Sequence, residues 1–181
     1  MSEVTRLLDA AAGGAPRAAA DLLPLAYDEL RQLAAARMAA ERAGHTLDAT
    51  ALVHEAYLRL VGDQQFDGRG HFFAAASEAM RRILADRARA RNAAKRGGGK
   101  RVSVELDHLA GSGPDDELLA VDEALDRLAA VQPKVAQLVT LRYFGGMTIP
   151  ESAEALGVSP RTADAWWAYA RAWLAADLAR G

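Results

Sequence analysis

The chain has 181 residues, 51% of them hydrophobic, no cysteine, and a formal net charge of −2. The lack of cysteine excludes a disulfide framework and any thiolate metal site. There is no leader pattern and no apolar run of the roughly eighteen residues that a membrane-spanning helix needs, so we expect a cytoplasmic protein without a membrane segment. Alanine-rich sequence with helical periodicity predicts an all-α fold.

The first part of the chain predicts three helices of the kind found in bundles. A short helical pattern covers 4–12, a longer one covers 22–40, and Asp48 or Thr50 caps a third helix whose apolar face ends at Val61. The opposite face of the third helix carries His54, Glu55, Leu58 and Arg59. A leucine exposed among charges is a candidate partner surface, although single exposed leucines often have no function.

A basic helix follows a polar loop at 62–70 that carries one aromatic residue, Phe66. The helix starts near His71, and its apolar stripe stops after Ala88 while helical propensity continues. From residue 81 to 101 there are nine Arg or Lys residues against one acid, and we expect no glutamate partners one helical turn away. Arginine on every side of a helix predicts a nucleic-acid contact, with a solvated helix end as the alternative.

Glycine-rich sequence before Pro114 is typical of a flexible connector, so we place a domain boundary there. Residues 1–99 would form one small helical domain, 100–114 the linker, and 115–181 a second helical domain. Two helices open this second domain, and Pro133 begins the latter of them.

Residues 148–178 predict a helix-turn-helix. Thr148 and Glu151 match a capping box, Gly157 can end the first helix with a positive φ, and Ser159 can cap the second. The inner face of the second helix would hold Ala163, Trp167, Ala170, Leu174 and Leu178. The second helix of this motif usually enters the DNA major groove, but capped helical hairpins also occur in proteins that bind no DNA.

Two partial matches to catalytic motifs fail. A zinc protease motif beginning at His54 would need a second histidine at the position of Leu58. The pair Gly99 and Lys100 lacks the upstream glycine and the following Ser or Thr of a phosphate-binding loop. We therefore predict no cofactor, no metal site and no enzymatic activity.

The order of a basic helical unit, a connector and a C-terminal helix-turn-helix resembles an extracytoplasmic-function (ECF) sigma factor of bacterial RNA polymerase, a branch of the sigma-70 family. Residues 22–38 and 49–61 are similar to regions 2.1 and 2.2, 71–99 to regions 2.3 and 2.4, and 138–174 to region 4. The pattern LRYFGGMT, followed by GVSPRT and ARAWL, is specific. The resemblance implies a non-enzymatic subunit that binds core polymerase and promoter DNA and directs transcription initiation.

The resemblance also implies roles for individual residues. Region 2.2 docks on the clamp helices of the polymerase β′ subunit, which would give His54, Glu55, Leu58 and Arg59 a partner. Regions 2.3 and 2.4 hold the promoter minus-10 element as single strand, which implies phosphate contacts from Arg81, Arg82, Arg87, Arg89, Arg91, Lys95 and Arg96. Phe66 would either stack on a flipped base or pack against neighbouring side chains, and the sequence favours neither role over the other. An anti-sigma factor is a further partner that the resemblance leaves open.

Region 4 departs from the family pattern. Related sequences carry Lys and Arg just after the S-P-R-T that starts the recognition helix, whereas this chain has Ala163, Asp164, Ala165 and Trp166. Residues 115–181 hold six basic and ten acidic residues, which is a poor balance for attracting phosphate. Minus-35 recognition would then rely on Ser159, Arg161, Thr162, Ala165 and Arg171, or the unit has drifted toward binding protein.

Two other functions stay open on the sequence alone. A stand-alone helix-turn-helix regulator would work as a dimer without a polymerase contact. A degenerate sigma factor acting as a decoy would bind polymerase without starting transcription.

Overall fold

The computed structural model of the chain describes residues 49–60, 66, 69–95 and 115–180. Over these residues it contains six helices and no strand, which confirms the all-α prediction. The helices are α1 (Ala49–Leu60), α2 (Arg69–Lys95), α3 (Asp115–Val131), α4 (Pro133–Tyr143), α5 (Ile149–Leu156) and α6 (Pro160–Leu178). The predicted helices at 4–12 and 22–40 and the predicted linker at 100–114 lie outside the described residues.

None of these helices is both long enough and apolar enough to cross a membrane, as far as the described residues go.

Helix α2 is the longest of the six, and it contacts α1, α3, α4 and α5. Its 27 residues include many alanines, which lose no side-chain entropy in a helix. One side of α2 packs against α1 in a first core, whose buried members from these two helices are Leu52, Ala56, Leu60, Phe72, Phe73, Ala76, Ala79, Met80 and Ile83. The predicted apolar stripe of the basic helix is therefore confirmed.

Helices α3 to α6 build a second core. Its fully buried large side chains include Leu125, Leu128, Leu138, Phe144 and Leu174. The predicted inner face of α6 is confirmed: Ala163, Trp167, Ala170 and Leu174 are buried, and Leu178 is partly buried against the second core. Arg142 of α4 lies with its guanidinium carbon 4.2 Å from the centre of the Trp167 ring, a cation–π contact between α4 and α6.

The two cores are continuous along α2. Leu141 and Met147, from the second half of the chain, are buried in the first core, and Leu84 of α2 packs against both cores.

The backbone approaches other atoms closely at two glycines. A Cβ on Gly70 would overlap the carbonyl oxygen of Ala155, and one on Gly145 would overlap the Ser77 hydroxyl and a carbonyl of α4. Helix α2 thus lies directly on the surface of α3 to α5.

The turn between α5 and α6 follows the predicted chemistry. The Thr148 amide donates to the Glu151 carboxylate over 2.7 Å, and the Glu151 amide donates back to the Thr148 hydroxyl over 3.4 Å, which confirms the capping box. Gly157 has φ of 66°, the left-handed conformation that favours glycine at a helix end. The Ser159 hydroxyl accepts from the Thr162 amide over 3.1 Å and so caps α6.

The close approach at Gly70 gives a prediction in which two effects have opposite signs. Helix propensity alone would make Gly70→Ala stabilising by roughly 0.5–1 kcal/mol. The added Cβ would instead meet backbone of Ala155 that no side-chain rotation can clear, so we expect the free energy of unfolding to fall by about 1–3 kcal/mol.

Urea unfolding measures this change. The control is Ala90→Gly at an exposed position of the same helix, which should cost roughly the propensity difference alone, about 1 kcal/mol. A stabilised Gly70→Ala variant would show that α2 and α5 do not approach each other in this way.

Candidate functional site

The outer face of α1 presents one large apolar side chain inside a group of charges. Leu58 is 58% exposed. Among the large hydrophobic residues in the described part of the chain, only Val131 is more exposed. Next to it, Arg59 lies 3.4 Å from Glu55 and 3.9 Å from Asp86, and Glu55 accepts from Arg87 over 2.5 Å. These ion pairs hold the charged side chains around Leu58 in place and join α1 to α2. His54 is in α1, but its side chain lies outside the described residues.

Phe66 is partly buried against the start of α2. Its ring meets the rings of His71 and Phe72 edge to face, with centroids 5.5 Å and 5.3 Å apart. This is a favourable packing geometry for aromatic pairs. Phe66 is thus attached to the first core, and of the two roles that the sequence allowed, packing is the one that these contacts support directly.

The arginines of α2 face α3 rather than open solvent at several positions. The Arg81 side chain is only 7% exposed, and its Nε donates to Asp122 over 2.7 Å. Its Nη2 donates to the Asp122 carbonyl over 2.6 Å and to the Asp126 carboxylate over 2.7 Å. Asp122 is itself buried, so this is an ion pair largely removed from water.

Burial lowers the pKa of the Arg81 guanidinium, but the hydrogen bond to Asp126 and two further carboxylates outweigh it and raise that pKa above its ordinary value. Arg81 therefore stays charged at every physiological pH. Removing one partner of such a pair leaves an uncompensated buried charge and typically costs about 3–5 kcal/mol.

Two more arginines extend the contact along α3. Arg89 donates to the second carboxylate oxygen of Asp122 over 2.8 Å, and Arg91 donates through Nε and Nη2 to the two oxygens of Asp115 over 2.8 and 2.7 Å. The amide of Asn92 donates to Asp116 over 2.6 Å. The Arg91 pair is bidentate, the geometry in which a guanidinium binds carboxylate or phosphate most strongly.

The remaining predicted phosphate contacts differ in exposure. Arg82 is 68% exposed and pairs with Glu78 four residues earlier, whereas Arg87 is turned toward α1. The expectation that these arginines have no glutamate partner one turn away is wrong, because Glu78 pairs with Arg82 and also lies 3.5 Å from Arg81. Asp86, the one acid within residues 81–101, lies 3.2 Å from Arg89. Lys95 ends α2, with its side chain outside the described residues, and Arg96 lies outside them altogether.

Helix α6 exposes the face opposite its buried side. Arg161, Asp164, Ala165, Ala168 and Ala172 are exposed, and Trp166 is partly buried at the edge of the second core. Ser159 and Thr162 cap the helix, so their polar groups are already engaged with its first turn. Arg171 is exposed two residues beyond Tyr169, which is also exposed.

The pairing of the basic helix with the acids of α3 goes beyond what the sequence predicts. Asp115, Asp122 and Asp126 are spaced by seven and then four residues, which places them on one face of a helix. That spacing was visible in the sequence, and the arginine-rich helix offered the complementary charge. What the sequence lacked was any sign that these two distant helices meet.

A family model described as ECF sigma factor matches residues 1–180. No curated protein and no solved structure gives a match. Members of the matched family are transcription regulators rather than enzymes, and they bind core RNA polymerase and promoter DNA. Because the match extends over nearly the full length, the chain belongs to the ECF sigma factor family and directs promoter recognition and transcription initiation.

Proposed function

We propose that this sigma factor docks on the β′ clamp of core polymerase through the outer face of α1, with Leu58 as the apolar anchor and Glu55, Arg59 and His54 around it. The observation that carries this proposal is the exposure of Leu58 on a helix whose other face is buried in the first core. Polymerase and promoter are both in the bacterial cytoplasm, where we place the chain as part of the same proposal.

The surroundings of Leu58 suit a protein partner better than solvent. The neighbouring charges are paired with each other, so a partner that covers Leu58 would not have to desolvate isolated ions. A central apolar contact with a polar rim is the usual anatomy of a protein interface. An isolated exposed leucine without function would need no such ordered rim.

We predict that Leu58→Asp and Arg59→Glu each weaken binding of core polymerase and leave the fold intact. Both side chains are exposed, so each change should alter the free energy of unfolding by only about 0.5 kcal/mol. The affinity for core polymerase, measured by titration with a labelled chain, should fall clearly in both.

The matched control is Val131→Asp, which places the same charge at an apolar residue of similar exposure, 60%, at the end of α3. Its polymerase affinity should equal that of the parent. Unchanged affinity in Leu58→Asp would remove α1 from the docking surface.

We propose that α2 holds the single-stranded minus-10 element through Arg82, Arg87, Arg89, Arg91, Lys95 and Arg96. Arg81 would also contact this element when α3 does not contact Arg81. Positive charge along one helix is what an extended phosphate backbone requires. Phe66 would supply a stacking surface at the start of this helix, in the same position where it now meets His71 and Phe72.

The salt dependence of promoter binding tests this assignment. Each phosphate contact on single-stranded DNA contributes roughly 0.7 to the slope of log affinity against log salt. Arg89→Ala combined with Arg96→Ala should therefore flatten the slope by about 1.4 when polymerase is present throughout.

Arg127→Ala is the control, because Arg127 is half exposed on α3 and its partner is Asp177 of α6 rather than DNA. It changes net charge without changing the proposed contact, and its slope should match that of the parent. If the two α2 changes leave the slope alone while Arg161→Ala abolishes binding, region 4 is the dominant DNA contact.

We propose that α6 reads the minus-35 element weakly, through Arg161, Arg171, Ala165 and the capped helix start at Ser159 and Thr162. Within the described residues, the groove-facing side of α6 offers Arg161 and an acid, Asp164, followed by alanines. Helix N-termini favour phosphate, which leaves the start of α6 as its best contact.

Asp164→Lys should therefore strengthen binding to duplex minus-35 DNA and steepen its salt slope by roughly 0.9 to 1.8, as one repulsion is lost and one phosphate contact is gained. Glu123→Lys, on an exposed position of α3, makes the same charge change on a different helix. Equal gains in both variants would indicate a general charge effect and no groove contact by α6.

A further inference from the structure

We propose that Tyr169 of α6 is an uncharged contact with the minus-35 duplex, in which its hydroxyl donates a hydrogen bond to a backbone phosphate. This inference rests on the proposed role of α6 in binding minus-35 DNA and adds a contact that is not one of its cations. Phosphate oxygens accept hydrogen bonds from tyrosine and other neutral side chains as well as from arginine and lysine. Such a contact would help α6 to hold DNA although the helix carries few cations.

The charges of α6 favour contacts of this kind. The helix contains two arginines and two aspartates, so its formal charges cancel. Arg161 and Arg171 are exposed, but so is Asp164, and Asp177 pairs with Arg127 of α3. A helix without net charge gains little from long-range attraction to the phosphates of a duplex. It therefore depends more on short-range hydrogen bonds than a basic helix does.

Tyr169 is placed where an external group can reach it. The residue is 44% exposed, and among the large hydrophobic residues in the described part of the chain only Leu58 and Val131 are more exposed. It lies four residues after Ala165 and three before Ala172, so it adjoins the exposed face of α6. No hydrogen bond joins the Tyr169 side chain to another of the described residues. Its hydroxyl is therefore available as a donor.

Two partly buried tryptophans flank Tyr169 along the helix. Trp166 lies three residues before it and Trp173 four residues after it, and both pack against the second core. Tyr169 thus lies between the exposed face of α6 and side chains that are already fixed. A tyrosine has only two side-chain torsions to order, so holding its hydroxyl at a phosphate costs little conformational entropy.

The exposed face beside Tyr169 has short side chains, which allow the helix to come close to DNA. Ala165, Ala168 and Ala172 are exposed along this face. The major groove is about 12 Å wide, and an α-helix with its side chains is about 10–12 Å across. Short side chains on one face therefore let the helix lie deeper in the groove. A tyrosine at the edge of that face would then lie beside the groove wall, where the phosphates are.

A protein partner is the other class of occupant for an exposed tyrosine. The interface of such a partner normally centres on a cluster of apolar anchors. Among the described residues of α6, Tyr169 is the one large apolar side chain that is exposed, because Trp166 and Trp173 are partly buried. A single tyrosine among alanines and exposed arginines suits a phosphate backbone better than an apolar interface.

Salt dependence separates an uncharged contact from a charged one. Tyr169→Phe removes the hydroxyl and keeps the ring, whereas Arg161→Ala removes a proposed charged contact of the same helix. Each full-length variant is titrated across a salt series, with core polymerase present throughout, against a duplex that carries the minus-35 element and ends upstream of the minus-10 element. Urea unfolding checks that Tyr169→Phe has the same midpoint as the parent.

We expect Tyr169→Phe to weaken binding by about tenfold at every salt concentration, the equivalent of one hydrogen bond to a charged acceptor. The salt slope should stay that of the parent, because a neutral donor releases no counterion. Arg161→Ala should instead flatten the slope by about 0.9.

Tyr169→Arg tests the location of the contact, because it places a cation at the same phosphate. It should steepen the salt slope by about 0.9. Ala130→Arg, at an exposed position of α3, adds the same charge on a different helix and should leave the slope unchanged. Equal slopes in the two arginine variants would show that position 169 is not beside a phosphate.

The possible failures are distinguishable. Unchanged duplex affinity in Tyr169→Phe with weakened binding in Arg161→Ala would overturn the Tyr169 contact and leave the proposed role of α6 intact. Unchanged affinity in both variants would overturn both. Loss of polymerase affinity in Tyr169→Ala, measured without DNA, together with unchanged duplex affinity would assign Tyr169 to a protein interface instead.

A methylphosphonate scan of the duplex identifies the phosphate. Each replacement turns one charged phosphate of the minus-35 element into a neutral group. At the phosphate that Tyr169 contacts, Tyr169→Phe should cost clearly less affinity than it does on the parent duplex, because both changes weaken the same hydrogen bond. Additive losses at every scanned phosphate would overturn the direct contact.

Discussion

The buried ion pair between Arg81 and Asp122 is the contact on which the arrangement of the described helices depends. Both side chains are largely removed from water, and together they use the Asp122 carboxylate, the Asp122 carbonyl and the Asp126 carboxylate. A buried pair of this kind contributes little net stability against an apolar alternative, but it is costly to break and it tolerates only one geometry. It therefore fixes the rotation and register of α3 on α2, and the outer pairs of Arg89 and Arg91 follow from that register.

Much of the local structure could be predicted from the sequence because it depends on residues close together in the chain. Capping at Thr148 and Ser159, the positive φ of Gly157 and the inner face of α6 are all determined within one or two helical turns. The exposure of Leu58 likewise follows from helical periodicity alone. The contact of α2 with α3 could not be predicted, because charge complementarity between residues 24 to 45 positions apart in the chain has no period to reveal it. The absence of glutamate partners for the arginines was wrongly predicted for a simpler reason: Glu78 precedes residues 81–101, the segment that holds the nine basic residues.

The acidic excess of region 4 has a different meaning once its location is known. Counted over residues 115–181, ten acids against six bases argue against phosphate binding by the whole unit. Four of those acids lie on the side of α3 that contacts α2, whereas the exposed side of α6 holds Asp164 near Arg161. Net charge is a property of the unit, but phosphate attraction acts at a surface. The small number of cations on α6 is therefore independent of the acidity of α3. It results from the alanines that follow Arg161.

The position of Leu84 against both cores has a consequence for how the chain melts. A side chain that is shared by two cores loses its contacts in one when the other unfolds, so each half makes the other less able to unfold alone. In a calorimeter the described helices should then give a single heat-absorption peak, because neither core unfolds while the other stays folded. The shape of the melting curve is thus a readout of whether the halves of this sigma factor are together, and it needs neither DNA nor a label.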